Sequence, residues 1–303
     1  MQVRWRHRVE YAALRGISAL LCALPLRAAF ILAAGLAAIA YHLFPKRPAE
    51  ARRRIAQVFP EFSRKRIDAI ARAGLRNLFF SAIETIRFPR MTDAWIERHV
   101  DVGNFPANVE AHIRPGQGAL FVIPHMGNWE LAGLAAGRRG LPMFFLVGRQ
   151  RNPLSEEYLR RVRTATGLEY IPRDEKSTRL ILRRLREGKI FGILPDVRMR
   201  MPGVPVRLFG HPADLPGGVA MFARHAEIPI FLGHVRRVGW TRHVWDFEPP
   251  MWFDHVADAQ EETARIYQRI ADYFTDVVRR HPDQYFWYNK RWILEPRNQD
   301  LAA

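Results

Sequence analysis

Residues 124–130, PHMGNWE, set a histidine and a carboxylate at a fixed spacing: His125, then Glu130 five positions on. An imidazole titrates near neutral pH, so it can take a proton from a hydroxyl and pass it on. A carboxylate against its other nitrogen would fix the tautomer and stabilise the imidazolium as it forms. No Ser or Cys nucleophile stands beside the pair. The chemistry that suits it is direct transfer, in which His125 deprotonates an acceptor hydroxyl that attacks an activated acyl group. The same spacing also fits a structural pair, a histidine bonded to a carbonyl and a glutamate favouring a helix N-terminus.

Such a pair needs a strand to present it. Gly118–Ile123 (GALFVI) is a short apolar run ending just before His125. In open α/β sheets the ligand crevice lies beyond the carboxyl ends of the strands. Gly127 allows a close turn and Asn128 can cap the helix that follows, with a substrate contact as its second role. Glu130 then falls in the first helical turn, folded back toward His125.

The rest of the chain supplies the frame. Further β-like runs lie at 142–147, 189–194, 228–235 and 244–247, with helical stretches near 128–139, 154–167, 175–187 and 215–226. This alternation predicts an α/β fold, a sheet flanked by helices. A long helix is expected at 257–280, followed by the aromatic tail DQYFWYNKRWI, read as core packing of the C-terminus. Residues 51–100 form a helical lead-in, where Pro60 breaks one helix and Ser63 caps the next. The predicted organisation is an N-terminal anchor over 1–50 and an α/β domain over 51–303.

The 303 residues carry a net charge of +17 and a single cysteine, Cys22. That charge draws anionic partners. Nucleic acid is not expected among them: only the charge favours it, and no helix-turn-helix, RNA-recognition or zinc signature is present. No metal-ligand spacing or nucleotide-binding glycine loop is present either, so no metal or cofactor is expected. The runs Gly16–Leu24 and Ala28–Phe44 are apolar, with basic residues on both flanks. The second is at the short edge of a bilayer span, and a surface-lying or re-entrant anchor suits it equally. A cleaved signal peptide is disfavoured by the length of the apolar region and the charge within it.

GALFVIPHMGNWE resembles the H-x4-[DE] motif of glycerolipid acyltransferase-like enzymes, and its HxGNWE form resembles the late acyltransferases of lipid A biosynthesis. GRQRNPLSEEY (148–158), LPDVRMR (194–200), the glycine-containing block 204–230 and PDQYFWYNKRWI (282–293) resemble further blocks of that family in the same order. The likeness implies a mixed sheet flanked by helices. It implies transfer of a fatty acyl chain from acyl carrier protein to a hydroxyl of a phosphorylated lipid A precursor. It places the site on the cytoplasmic face of the inner membrane. Departures at Asp196-Val197 and Asp214-Leu215-Pro216 keep a second acceptor class open: another phospholipid, glycolipid or aminolipid. A non-catalytic, basic membrane-binding protein is the remaining alternative.

Several residues then become candidate contacts. Arg149, after the strand at 142–147, would bind phosphate or steady charge beside the dyad, or be a surface arginine. Asp196, ending the strand at 189–194, would bind the acceptor or pair with Arg149, or be a turn residue. Arg151, with Arg173, Lys176 and Arg179, would meet the carrier or a phosphate. Gly217 and Gly218 would let backbone N–H groups approach an oxyanion, or simply start a helix.

Overall fold

A computed structural model describes residues 3–148, 150–164, 167–199 and 201–295. The chain opens with α1 (Trp5–Ala23), breaks at Pro25, and continues as α2 (Leu26–Leu43), α3 (Lys46–Val58) and α4 (Arg64–Arg87). The Ser63 hydroxyl accepts the Arg66 amide at 3.3 Å and caps α4. Next come α5 (Asp93–His99), β1 (Val100–Asp101), α6 (Phe105–His112), β2 (Ala119–Val122), α7 (Trp129–Arg138), β3 (Met143–Val147) and α8 (Pro153–Thr164). They are followed by β4 (Glu169–Pro172), α9 (Ser177–Arg186), β5 (Ile190–Ile193), β6 (Val204–Leu208), β7 (His211–Leu215) and α10 (Gly218–Ala226). The last elements are β8 (Ile230–Val238), β9 (Arg242–Phe247) and α11 (Ala259–Arg280).

Among the described residues, seven strands form one mixed sheet in the order β1-β9-β8-β2-β5-β3-β4. From β8 to β4 neighbouring strands run parallel, and β9 returns antiparallel to β8. Strand β2 is buried throughout, as a central strand covered on both faces must be. Its alternate residues serve two cores. Leu120 and Val122 pack in a cluster with residues of α10 and α11, whereas Ala119 and Phe121 pack with residues of α6 and α7. The fold is therefore the helix-flanked mixed sheet the sequence predicts.

Three features differ from expectation. Strand β4 is additional, a short edge element whose Glu169 and Pro172 hide it from an apolar-run search. β6 and β7 form a separate hairpin turning at Phe209 and Gly210, with φ of 53° and 80°, and this delays α10 to Gly218. The expected boundary at residue 50 falls inside α3, and the anchor shares a core with the lead-in: Leu21, Ala29, Phe30 and Ala33 pack on Phe80 and Ile83 of α4.

Candidate active site

His125 follows β2, and Asp196 follows β5. These are neighbouring parallel strands, registered Val122 to Ile193, so both residues emerge at the same carboxyl edge. There the Nδ1–H of His125 donates to Oδ1 of Asp196 at 2.5 Å, and the His125 backbone amide donates to Oδ2 at 2.8 Å. The proton is assigned to Nδ1 because a carboxylate can only accept. The Asp196 side chain is almost wholly buried and that of His125 is one-fifth exposed. Buried Tyr285 lies beside Asp196, and desolvation first, then the Asp196 charge, pushes its phenol well above the ordinary range. The phenol therefore stays a donor. Among the described residues no hydrogen bond forms to Nε2 of His125.

This arrangement corrects the expected pairing. Asp196, not Glu130, holds the imidazole. Glu130 lies in the first turn of α7, and its carboxylate is held by Arg163 of α8 at 2.6 and 3.5 Å. Burial lowers the Arg163 pKa, but the Glu130 charge and hydrogen bond, with smaller neighbouring charges, outweigh it and the net shift is upward. Asn128 takes the capping role rather than the substrate contact. Its Oδ1 accepts the Leu131 amide at 3.0 Å, capping α7, and its amide donates to Glu84 at 2.7 Å, so both ends are spent on structure.

The loop around His125 is fixed from two sides. Gly127 has φ of 60°, and a Cβ there would lie 2.2 Å from the Val235 carbonyl oxygen, so only glycine fits. The C-terminal segment pairs with it: the Phe286 amide donates to the His125 carbonyl at 2.9 Å, and the Gly127 amide to the Gln284 carbonyl at 3.1 Å. That segment is itself held by buried Arg54 of α3, which donates to the Trp287 and Asn289 carbonyls at 2.7 and 2.6 Å. The aromatic tail is thus core, with Trp287 and Trp292 fully buried. On the other side, buried Glu84 of α4 accepts two hydrogen bonds from Arg237, each 2.7 Å, one from Asn128, and contacts His243 Nε2 at 2.9 Å. Arg237 and His243 keep the Glu84 carboxyl far below the usual range despite complete burial, which acts first and in the opposite sense.

His125 lies where two cavities meet. One, about 500 Å³, is mainly apolar and lies among β5, α9 and α10, with Ile181, Ile193, Leu194, Met221 and Phe222 in its wall. Gly217 and Gly218 also line it, but the Gly218 amide donates to the Pro216 carbonyl at 2.9 Å, which removes it as an oxyanion donor. The other, about 730 Å³, is mixed: Trp129, Phe145, Leu146 and Phe286 line it beside Glu130, Arg163, Arg173 and Arg291, and Arg173 borders both cavities. Desolvation, and then the charge of Arg291, lower the Arg173 pKa, so an anion between these two arginines would relieve a standing repulsion. Arg151 is exposed and lines neither cavity. Arg149 lies outside the described residues. Arg163 and Arg291 were not singled out from sequence. The Arg291 signal was present in the aromatic tail, whereas Arg163 reads as one of several arginines on a polar helix.

Comparison with known proteins places these features in context. The family model for bacterial lipid A biosynthesis acyltransferases matches residues 2–293. A phosphatidylinositol mannoside acyltransferase of Mycobacterium tuberculosis (strain CDC 1551 / Oshkosh) is 26% identical over 224 residues, 70% of this chain and 66% of that protein, just short of two thirds of its length. The protein of the same name in Mycolicibacterium smegmatis is 24% identical over 84% of this chain and 83% of its own. A lipid A biosynthesis acyltransferase of Haemophilus influenzae is 24% identical over 64% of this chain and 59% of its own.

Proposed function

Because the chain belongs to the bacterial lipid A biosynthesis acyltransferase family, we propose that it transfers a fatty acyl chain from acyl carrier protein to a hydroxyl of a phosphorylated lipid A precursor. The observation that carries this reading is the position of His125, at the junction of an apolar cavity and an arginine-bearing one. The acyl chain occupies the first, and the anionic sugar headgroup the second. Nε2 accepts the proton of the acceptor hydroxyl as its oxygen attacks the thioester carbonyl. Asp196 holds the ring and stabilises the imidazolium. As the tetrahedral intermediate collapses, the carbon–sulfur bond breaks, and the thiolate takes the proton back from Nε2. The new bond is an ester and the by-product is the carrier thiol. Glu130 acts through Arg163, fixing that guanidinium toward the headgroup. The charge of +17 suits both an acidic carrier and an anionic lipid. The reaction takes place at the cytoplasmic face of the inner membrane, where both substrates would meet.

A second acceptor is favoured by the mycobacterial relatives named for phosphatidylinositol mannosides. A mannosylated phospholipid offers the same features, a phosphate and sugar hydroxyls. Mass spectrometry decides between them: the full-length chain is given acyl carrier protein thioesters with either a phosphorylated lipid A precursor or a phosphatidylinositol mannoside. A product one acyl group heavier with wild type and not with His125→Ala is expected. No product with either acceptor, or equal product from His125→Ala, would overturn the reading.

A further inference from the structure

The α1–α2 hairpin leaves a large apolar surface on the outside of the protein. On α2, Ile31, Leu32, Leu36, Ile39 and Leu43 are exposed, and on α1, Trp5, Val9, Ile17 and Leu20. By length and composition α2 could cross a membrane. Its opposite stripe, Ala29, Phe30, Ala33, Ala37 and Tyr41, is buried.

That stripe lies along α4. The Phe30 and Phe80 rings are 4.5 Å apart at one end of the contact. At the other, the Tyr41 hydroxyl donates to Asp68 at 2.6 Å, and Arg52 reaches the same pair. The two helices run antiparallel and stay together over about 16 Å of axis, at 1.5 Å per residue. The α4 helix carries exposed Arg64, Lys65, Arg66, Arg72 and Arg76. It is also tied to the sheet, since its Glu84 is part of the buried network behind the His125 loop. If α2 stood across the bilayer, the stretch of α4 paired with it, including Asp68, Arg72 and Arg76, would stand at membrane depth with it. Charged side chains there are rare and costly unless they face a protein interior or a water-filled cavity.

We infer that α2 does not cross the membrane: the α1–α2 hairpin lies in the plane of the bilayer surface, with its exposed apolar face in the acyl region and α4 on the aqueous side. The partner is an anionic lipid bilayer. Charge complementarity selects it, because Arg6, Arg8, Arg27 and Lys46 are exposed on the hairpin and at its end, and Arg72 and Arg76 of α4 line a groove with Ala34, Ala38 and Tyr41 of α2. The seat also serves the site. α1 packs along α8 through Tyr11 and Tyr158, and Asn152 donates to the His7 carbonyl at 2.9 Å. α8 carries Arg163 into the arginine-bearing cavity that His125 also lines, so the hairpin is seated against the element that builds the site. The inference rests on helix packing and holds whichever acceptor the enzyme uses.

The test is a cysteine map of the full chain in its membrane, in a Cys22→Ser background, with a membrane-impermeant maleimide. Arg27→Cys and Lys46→Cys probe the two ends of α2, Arg76→Cys probes α4, and Ile39→Cys probes the apolar face. The expected result is that the first three react from one and the same side, while Ile39→Cys reacts only after detergent. Labelling of the two ends from opposite sides would overturn the inference. So would free reaction of Ile39→Cys without detergent, or recovery of the chain outside the membrane fraction.

Discussion

His125 and Asp196 are 71 positions apart in sequence, yet Nδ1 of one donates to Oδ1 of the other at 2.5 Å. The contact follows from topology: β2 and β5 are adjacent because β5 inserts between β2 and β3. It divides the two carboxylates: Asp196 holds the ring of His125, the proposed base, and Glu130 holds Arg163.

That division makes Glu130 and Arg163 a unit. Glu130→Gln and Arg163→Lys should each lower kcat/KM, while the double substitution costs little more than either alone. A coupling of about 1–2 kcal/mol in the double-mutant cycle is expected for residues in direct contact. Full additivity in the transfer assay would show that Glu130 acts independently of Arg163.

The apolar cavity predicts a chain-length preference that can be moved. Met221→Trp would shorten it. Each methylene no longer accommodated forfeits about 0.8 kcal/mol, so a donor two carbons too long should lose roughly tenfold or more in kcat/KM relative to its shorter homologue. Product masses from mixed donors read this directly. An unchanged product distribution would remove the acyl chain from this cavity.

The buried network behind the His125 loop should dominate local stability. Glu84→Ala would leave Arg237 buried without its carboxylate, a loss of about 3–5 kcal/mol for a broken buried pair. The thermal midpoint should fall clearly below that of wild type. A midpoint within error of wild type would mean that the Glu84–Arg237 pair contributes nothing net.

Acid should also destabilise the fold through histidines. Burial lowers the His234 pKa to about 4 against the pull of Asp246, and burial lowers that of His243. A group whose folded pKa lies below its unfolded value near 6.5 binds protons in the unfolded chain first. Its stabilisation is therefore present above about pH 6.5 and is lost as pH falls toward 4. Between pH 7 and pH 5, His234 alone should cost about 2 kcal/mol by this linkage. The midpoint should fall over that interval, and His234→Gln should fall less. A flat profile for wild type would contradict the burial of these rings.

Much of this was legible in the sequence, for reasons that also mark where legibility ends. The central strands β2, β3 and β5 read as unbroken apolar runs, and the break and cap at Pro60 and Ser63 were visible. Edge strand β4, with Glu169 and Pro172, carries no such run. His125 stood out because its neighbours have readable local roles, Gly127 as turn and Asn128 as cap. Its true partner did not, because sequence proximity favoured Glu130 and only strand order brings Asp196 beside the imidazole. Tyr285 was equally hidden, since an aromatic in a packed tail gives no sign that its hydroxyl meets a carboxylate.

The most direct test of the central claim is turnover by Asp196→Asn. The asparagine carbonyl can still accept the His125 backbone amide, so the loop should hold. Its NH2 group would face Nδ1 and force the proton onto Nε2, where the acceptor hydroxyl must bind. The His125–Asp196 account predicts a loss in kcat of at least about 10²-fold, toward the roughly 10⁴ seen when a triad aspartate is so replaced, with KM and the thermal midpoint little changed. Turnover within a few-fold of wild type would contradict it and return the role of orienting His125 to another group.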